Sequence, residues 1–141
     1  MPTVGIIGAG AMGAGIAQVA ATAGWHARLV DVDPATVENA LSQISKRLQR
    51  SVDKGRLDAT SAGQIHERLT NSTIQDLADC DLLIEAIVEN LDTKVAAISP
   101  VLDVLAQDTL IATNTSSLSV TELGNRLGCG PRIAGMHFFN P

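Results

Sequence analysis

The sequence predicts an α/β domain, a doubly wound, mainly parallel sheet with a helical excursion after the second strand. Three observations carry that reading. Val4-Gly5-Ile6-Ile7 is a short apolar strand that runs straight into a G-x-G-x-x-G turn, and an Ala-rich helical run follows it. A second strand, Ala27 to Val30, ends in an acid, Asp31, 18 residues beyond Gly13. Apolar runs then alternate with helix-period stretches to the end of the chain, as in β–α–β units with right-handed crossovers. The expected strand order is 3-2-1-4-5-6.

The first turn reads as Rossmann-type, and it points to a dinucleotide. Gly8 permits the tight exit from the strand, Gly10 has no Cβ to keep a pyrophosphate away, and Gly13 lets the helix pack closely. With Ala9, Ala11 and Met12 between them, these residues offer unpaired N–H groups and the positive end of a helix to phosphate. An acid about 20 positions on is placed for the ribose 2′-hydroxyl of NAD, and Asp31 fills that place.

At 141 residues the chain reads as one domain. A chain of this length buries roughly 70% of its unfolded surface, enough for an independent core. Hydrophobic residues make up 45% and charged residues 18%, which excludes disorder. Aromatics are only 2%, so the core must be Ala, Val, Leu and Ile, as under a buried parallel sheet. The net charge of −5 leaves no basic footprint for nucleic acid or a membrane surface. No Lys or Arg precedes the apolar run in the first 23 residues, and four glycines break it between Gly5 and Gly13, unlike a signal peptide or a membrane span. Cys80 and Cys129 have no metal-like spacing and are expected as buried free thiols. No metal is expected, and a cytoplasmic, reducing location is.

Asp33-Pro34 starts a long helix, residues 34–53, with Asp33 as N-cap and Pro34 in the first turn. Val37, Leu41, Ile44, Leu48 and Val52 form its apolar stripe, and Gly55 ends it. Five of the ten basic residues fall between Ser45 and Arg56, either as a solvated face or as a lip for an anionic ligand. A short helix from Thr60 or Ser61 to about Leu69, a third strand at 72–74 and a helical turn at 76–80 follow. Residues 81–86 form the fourth strand and 92–106 a helix that Pro100 should kink or interrupt. Residues 109–113 form the fifth strand. Ser119 caps a helix reaching about Leu127, with Glu122 at the capping-box position. Residues 132–136 form the sixth strand.

In such a sheet, ligands bind beyond the carboxyl ends of the strands. The glycine loop, Asp31, Glu89, Asn114 to Ser117 and His137 to Asn140 all fall on that edge. Histidine is the side chain suited to moving a proton at neutral pH, so His137 is the acid–base candidate. Ser116 could bond the same substrate oxygen. Glu89 and Lys94, at i and i+5 of a loop-to-helix junction, read on their own as an ordinary surface pair. His26 and His66 read as structural.

These stretches resemble the cofactor-binding half of the L-3-hydroxyacyl-CoA dehydrogenases. The matching segments are GAGAMGAGIAQVAA (8–21), DCDLLIEAIVENLDTK (79–94), ATNTSSLSVTEL (112–123) and RIAGMHFFNP (132–141). The resemblance implies oxidation of a (S)-3-hydroxyacyl-CoA to the 3-oxoacyl-CoA, with hydride passing to NAD. Gly8, Ala9, Gly10, Ala11, Met12 and Gly13 would hold the pyrophosphate, and Asp31 the adenine ribose. Ala86, Glu89, Lys94, Ser116 and Asn140 would contact the cofactor. His137 would take the 3-hydroxyl proton, and Ser116 would bond the substrate oxygen. Lys54 aligns approximately with a coenzyme A contact.

The family's histidine has a glutamate partner beyond the HFFNP motif, and a helical C-terminal domain closes the site and forms the homodimer. The sequence given stops at Pro141, so residues 1–141 are expected as the NAD-binding domain of a longer protein. Alone, it is expected to bind NAD and turn over little or no substrate. Acyl-chain length stays open, as does the pathway. Two other readings are a dehydrogenase of free hydroxy or sugar acids and a non-catalytic NAD-binding module.

Overall fold

A computed structural model describes residues 1–139. Its six strands run β1 (Thr3–Ile7), β2 (His26–Val30), β3 (Leu69–Asn71), β4 (Leu82–Glu85), β5 (Leu110–Thr113) and β6 (Ile133–Gly135). They form one sheet in the order β3-β2-β1-β4-β5-β6, and each neighbouring pair is parallel. The expected order is therefore the observed one. All strands point the same way, so every strand-to-helix loop falls on a single carboxyl edge.

Two apolar layers sandwich the sheet. On one face α1 (Ala11–Thr22), α2 (Pro34–Asp53) and α3 (Ala59–Glu67) enclose Val4, Ile6, Ala27, Leu29 and Ile84. On the other, α4 (Leu91–Leu102) and α5 (Val120–Leu127) enclose Ile7, Leu83 and Ile111. Alternate residues of each central strand feed opposite layers, which is why these strands read as unbroken apolar runs.

Helix starts follow their caps. Asp33 accepts a bond from the Ala35 amide at 3.0 Å, and Ser119 from the Glu122 amide at 3.1 Å. Asp58 accepts from the Ser61 amide, so α3 begins at Ala59, slightly before its expected start, and ends at Glu67. Both cysteines are free and buried.

Two expectations need correction. The third strand lies at Leu69–Asn71 and not at 72–74. Thr73 has the β-branched side chain of a strand residue, but its hydroxyl and amide both bond Asp76, at 2.8 and 2.7 Å. That capping box opens a 3-10 turn at Ile74–Leu77, because a local side-chain bond outcompetes strand propensity. Pro100 does not interrupt α4, which runs to Leu102 and not to residue 106. The proline sits in the last turn, where the helix is about to end.

Candidate functional site

The glycine loop is shaped by backbone contacts. Gly8 has φ +98, and a Cβ there would meet the Ala86 carbonyl oxygen at 2.5 Å. A Cβ on Gly13 would stand 1.8 Å from the Gly8 carbonyl oxygen. Gly8 thus lets the loop touch the end of β4, and Gly13 lets α1 begin directly over the loop. Gly10 differs, because a Cβ there would meet nothing within 4 Å. Gly10 is also the N-cap of α1, with no side-chain cap bond and no acid in the first turn. Ala11, Met12 and Gly13 therefore open a helix whose first N–H groups have no capping side chain, and the space beside Gly10 at that positive dipole end is clear, which suits a pyrophosphate.

Asp31 closes the loop from the β2 side. Its Oδ2 accepts from the Ala9 amide at 2.9 Å and its Oδ1 from the Asp33 amide at 3.0 Å. Each oxygen keeps lone-pair capacity for a ribose hydroxyl. The donors and acceptors present fit a dinucleotide carrying a free 2′-hydroxyl.

The β4–β5 half is built from side chains. Lys94 and Glu85 are fully buried, and the ammonium lies 2.8 and 2.6 Å from the two Glu85 carboxylate oxygens. Thr113 Oγ1 donates to Glu85 Oε1 at 2.6 Å, and the Ile87 amide to Oε2 at 2.7 Å. The pairing of Glu89 and Lys94 as an ordinary surface pair is therefore corrected: Lys94 belongs chiefly to Glu85, and Glu89 Oε1 stands 3.8 Å away. Glu89 instead holds the loop after β5. It accepts from Thr115 Oγ1 at 2.6 Å, the Ser116 amide at 2.9 Å and Ser116 Oγ at 3.1 Å. Burial pushes the Glu89 carboxyl up, but the bonds from Thr115 and Ser116, with the Lys94 charge, overcome it and hold its pKa below the ordinary carboxylate value.

His137 follows β6 on the same edge. The Phe138 amide donates to Asn114 Oδ1 at 2.9 Å, so the histidine segment is tied to the loop that carries Ser116. The His137 ring lies tilted on Phe139, with centroids 4.4 Å apart. Asn140 lies outside the described residues. Lys54 is not gathered with the others. It is the C-cap of α2, at the far end of a 20-residue helix, about 30 Å of axis from Asp33. Arg47 of the same helix instead lines an 820 Å³ groove with Ala11, Met12, Phe138 and Phe139.

Sequence reasoning missed Glu85, Thr113 and the role of Asn114. The signal for Glu85 was present, as the one charge inside the apolar run Leu82-Leu83-Ile84-Glu85-Ala86. A buried charge must find a partner, and Lys94 is nine residues on. Among the described residues no cluster of His, Cys, Asp or Glu is arranged for a metal ion, and no helix is long and apolar enough to cross a membrane.

The fold and edge define the chain as a dinucleotide-binding domain. Its family is also fixed. Residues 3–141 match the model of the 3-hydroxyacyl-CoA dehydrogenase NAD binding domain, and the chain belongs to that family. It is 41% identical over 140 residues to the 3-hydroxyadipyl-CoA dehydrogenase of Escherichia coli K12, covering 99% of this chain and 30% of that one. It is 38% identical to a probable 3-hydroxybutyryl-CoA dehydrogenase of Bacillus subtilis, over 96% of this chain and 48% of that one. The crystal structure of (S)-3-hydroxybutyryl-CoA dehydrogenase from Ralstonia eutropha superposes with a TM-score of 0.94 at 37% identity, over 99% of this chain and 50% of that one. The chain thus spans half or less of the length of these relatives.

Proposed function

We propose that residues 1–141 are the cofactor-binding domain of a dehydrogenase that oxidises (S)-3-hydroxyacyl-CoA to 3-oxoacyl-CoA. The observation that carries this is the meeting, on one sheet edge, of a clear phosphate cradle, a ribose-side carboxylate, and a serine loop tied to a histidine segment. NAD, when bound, supplies the hydride acceptor. Gly8 to Gly13 bind its pyrophosphate through backbone N–H groups, and Asp31 takes the adenine ribose. A 2′-phosphate would face the Asp31 carboxylate, so NADP is disfavoured. Ala86, Glu89 and Asn140 complete the cofactor side, and Lys94, fully buried behind Glu89, acts through that carboxylate and not by direct contact.

The His137 imidazole takes the proton from the substrate 3-hydroxyl as hydride leaves the same carbon. The Ser116 hydroxyl, which donates to Glu89 in the free chain, turns its hydrogen to that oxygen when substrate binds and orients it, while the Ser116 amide keeps its bond to Glu89. Arg47, on the wall of the groove beside Phe138 and Phe139, is a candidate for the phosphates of coenzyme A, and Lys54 is an outlying candidate for the same group. The greater length of the relatives leaves room for the second, helical domain and homodimer contact implied by the family resemblance. Two unbridged buried thiols suit a reducing cytoplasm.

The test has two parts. Calorimetric titration of this chain should show NADH binding at least ~10-fold tighter than NADPH, about 1.4 kcal/mol. In a full-length enzyme carrying this domain, His137→Ala should remove most acetoacetyl-CoA reduction and leave NADH affinity nearly unchanged. Unchanged turnover would sink the proton-transfer role. Equal turnover of free acetoacetate would favour a dehydrogenase of free hydroxy acids.

A further inference from the structure

Lys94 has two carboxylates near it, and the structure divides it between them unequally. Glu85 presents both oxygens to the ammonium within 2.8 Å, while Glu89 stands at 3.8 Å, beyond hydrogen-bond range. Glu89 gives its oxygens to Thr115 and Ser116. Chain connectivity does not force this division, because Glu89 is on the loop leading into the helix that carries Lys94. Glu85 is itself fixed by the Thr113 hydroxyl and the Ile87 amide. A buried ammonium pairs with the full negative charge it can reach, because attraction between charges is several-fold stronger inside a protein than in water.

We propose that Glu85 is a positioning residue: by holding the Lys94 ammonium, it leaves the Glu89 carboxylate to the Ser116 loop. This rests on the reading of Ser116 and Glu89 as part of the cofactor and substrate site. Glu85 acts at two removes, through Lys94 and then Glu89. When its charge is removed, Glu89 becomes the only carboxylate beside Lys94 among the described residues. The ammonium then moves onto Glu89 and displaces the Thr115 and Ser116 hydroxyls, and the loop after β5 loses its anchor.

The test uses NMR and NADH titration on the 141-residue chain. Glu85→Gln keeps the shape and removes the charge. The Glu89 carboxyl should then titrate lower than in the native chain, as the ammonium closes on it. Ser116 amide exchange should quicken by ~10-fold or more, and NADH affinity should fall by ~5-fold or more. Adding Lys94→Met removes the competing ammonium, so Ser116 protection should return to within about twofold of native. A Glu85 with a purely structural role gives the opposite result, with the double variant no better protected than the single one.

If Glu85→Gln does not fold, Thr113→Val takes one donor from Glu85 and leaves its charge. It should raise Ser116 exchange by a smaller factor with unchanged circular dichroism. Native Ser116 exchange in the folded variants overturns the inference. Failure of the native chain to bind NADH overturns the cofactor reading instead, while the amide and carboxyl measurements still decide the role of Glu85.

Discussion

The two halves of the carboxyl edge are built from different materials. The β1–β2 half is made of main chain: three glycines, a bare helix start, and a single carboxylate that clamps the loop through the Ala9 amide. The β4–β5 half is made of side chains: a buried ion pair, two threonine hydroxyls and a carboxylate shared with the serine loop. The first half binds by exposing donors the backbone already has. The second must take charge out of water and satisfy every lone pair, and among the described residues no buried side-chain polar atom lacks a partner. Backbone construction suits a ligand part that must only be held. Side-chain construction suits the part where a hydroxyl has to be oriented.

The largest effects should come from breaking each half at its tightest point. Gly13→Ala places a methyl 1.8 Å from the Gly8 carbonyl oxygen. Neither backbone can yield without moving α1, so a loss of more than about 4 kcal/mol, or failure to fold, is expected in urea denaturation. Lys94→Met leaves the Glu85 carboxylate buried and unpaired, with an expected loss of about 3–5 kcal/mol. Replacing both members of the pair with apolar residues of like volume should cost less than that single change, because no charge stays stranded. A double replacement costing the sum of its parts would mean that the pair is not the unit described.

The halves also differ in how far sequence exposes them. The glycine loop is written in consecutive residues, and each glycine has a reason within a few positions of itself. Strand order, the α1 and α2 starts and Asp31 follow from local pattern for the same reason. Glu85, Lys94 and Thr113 lie on two strands and a helix, and only the parallel register of β4 with β5, which sets Glu85 against Thr113, brings them together. Spacing along the chain showed Lys94 beside Glu89, and the fold gave it to Glu85. The third strand departs from its expected place because the Thr73–Asp76 box, a local bond, overrides the strand propensity of Thr73 and Ile74.

Gly10→Ala separates binding from folding within the backbone half. Gly10 has φ −69, ordinary for any residue, and a methyl there touches nothing. Stability should stay within about 0.5 kcal/mol, while NADH affinity falls by ~10-fold or more because the methyl occupies the phosphate's approach. Asp31→Ala should do some of both. Loss of the clamp on Ala9 and Asp33 should cost about 1–2 kcal/mol, and the preference for NADH over NADPH should shrink toward parity. A variant that retains the preference would place ribose selection elsewhere on the edge.

The smallest expected effect is a dependence on acid that belongs to the side-chain half. The Glu89 carboxyl titrates below its ordinary value in the folded chain. A carboxyl with a depressed folded pKa binds fewer protons folded than unfolded, so it adds stability above its unfolded pKa and loses it as pH falls through the folded one. Melting temperature should therefore drop as the solution is acidified below about pH 4.3, the unfolded value for glutamate. Asp58, Asp76 and Asp79, each held low by its own hydrogen bonds, contribute in the same direction. Glu89→Gln should make the drop shallower, by less than about 1 kcal/mol, since that side chain is 35% exposed and its attractions are screened. An unaltered acid slope in Glu89→Gln, with Ser116 still protected, would mean that the amide bonds hold the serine loop without help from the charge. The two halves would then be alike after all, each positioned by hydrogen bonds from the main chain.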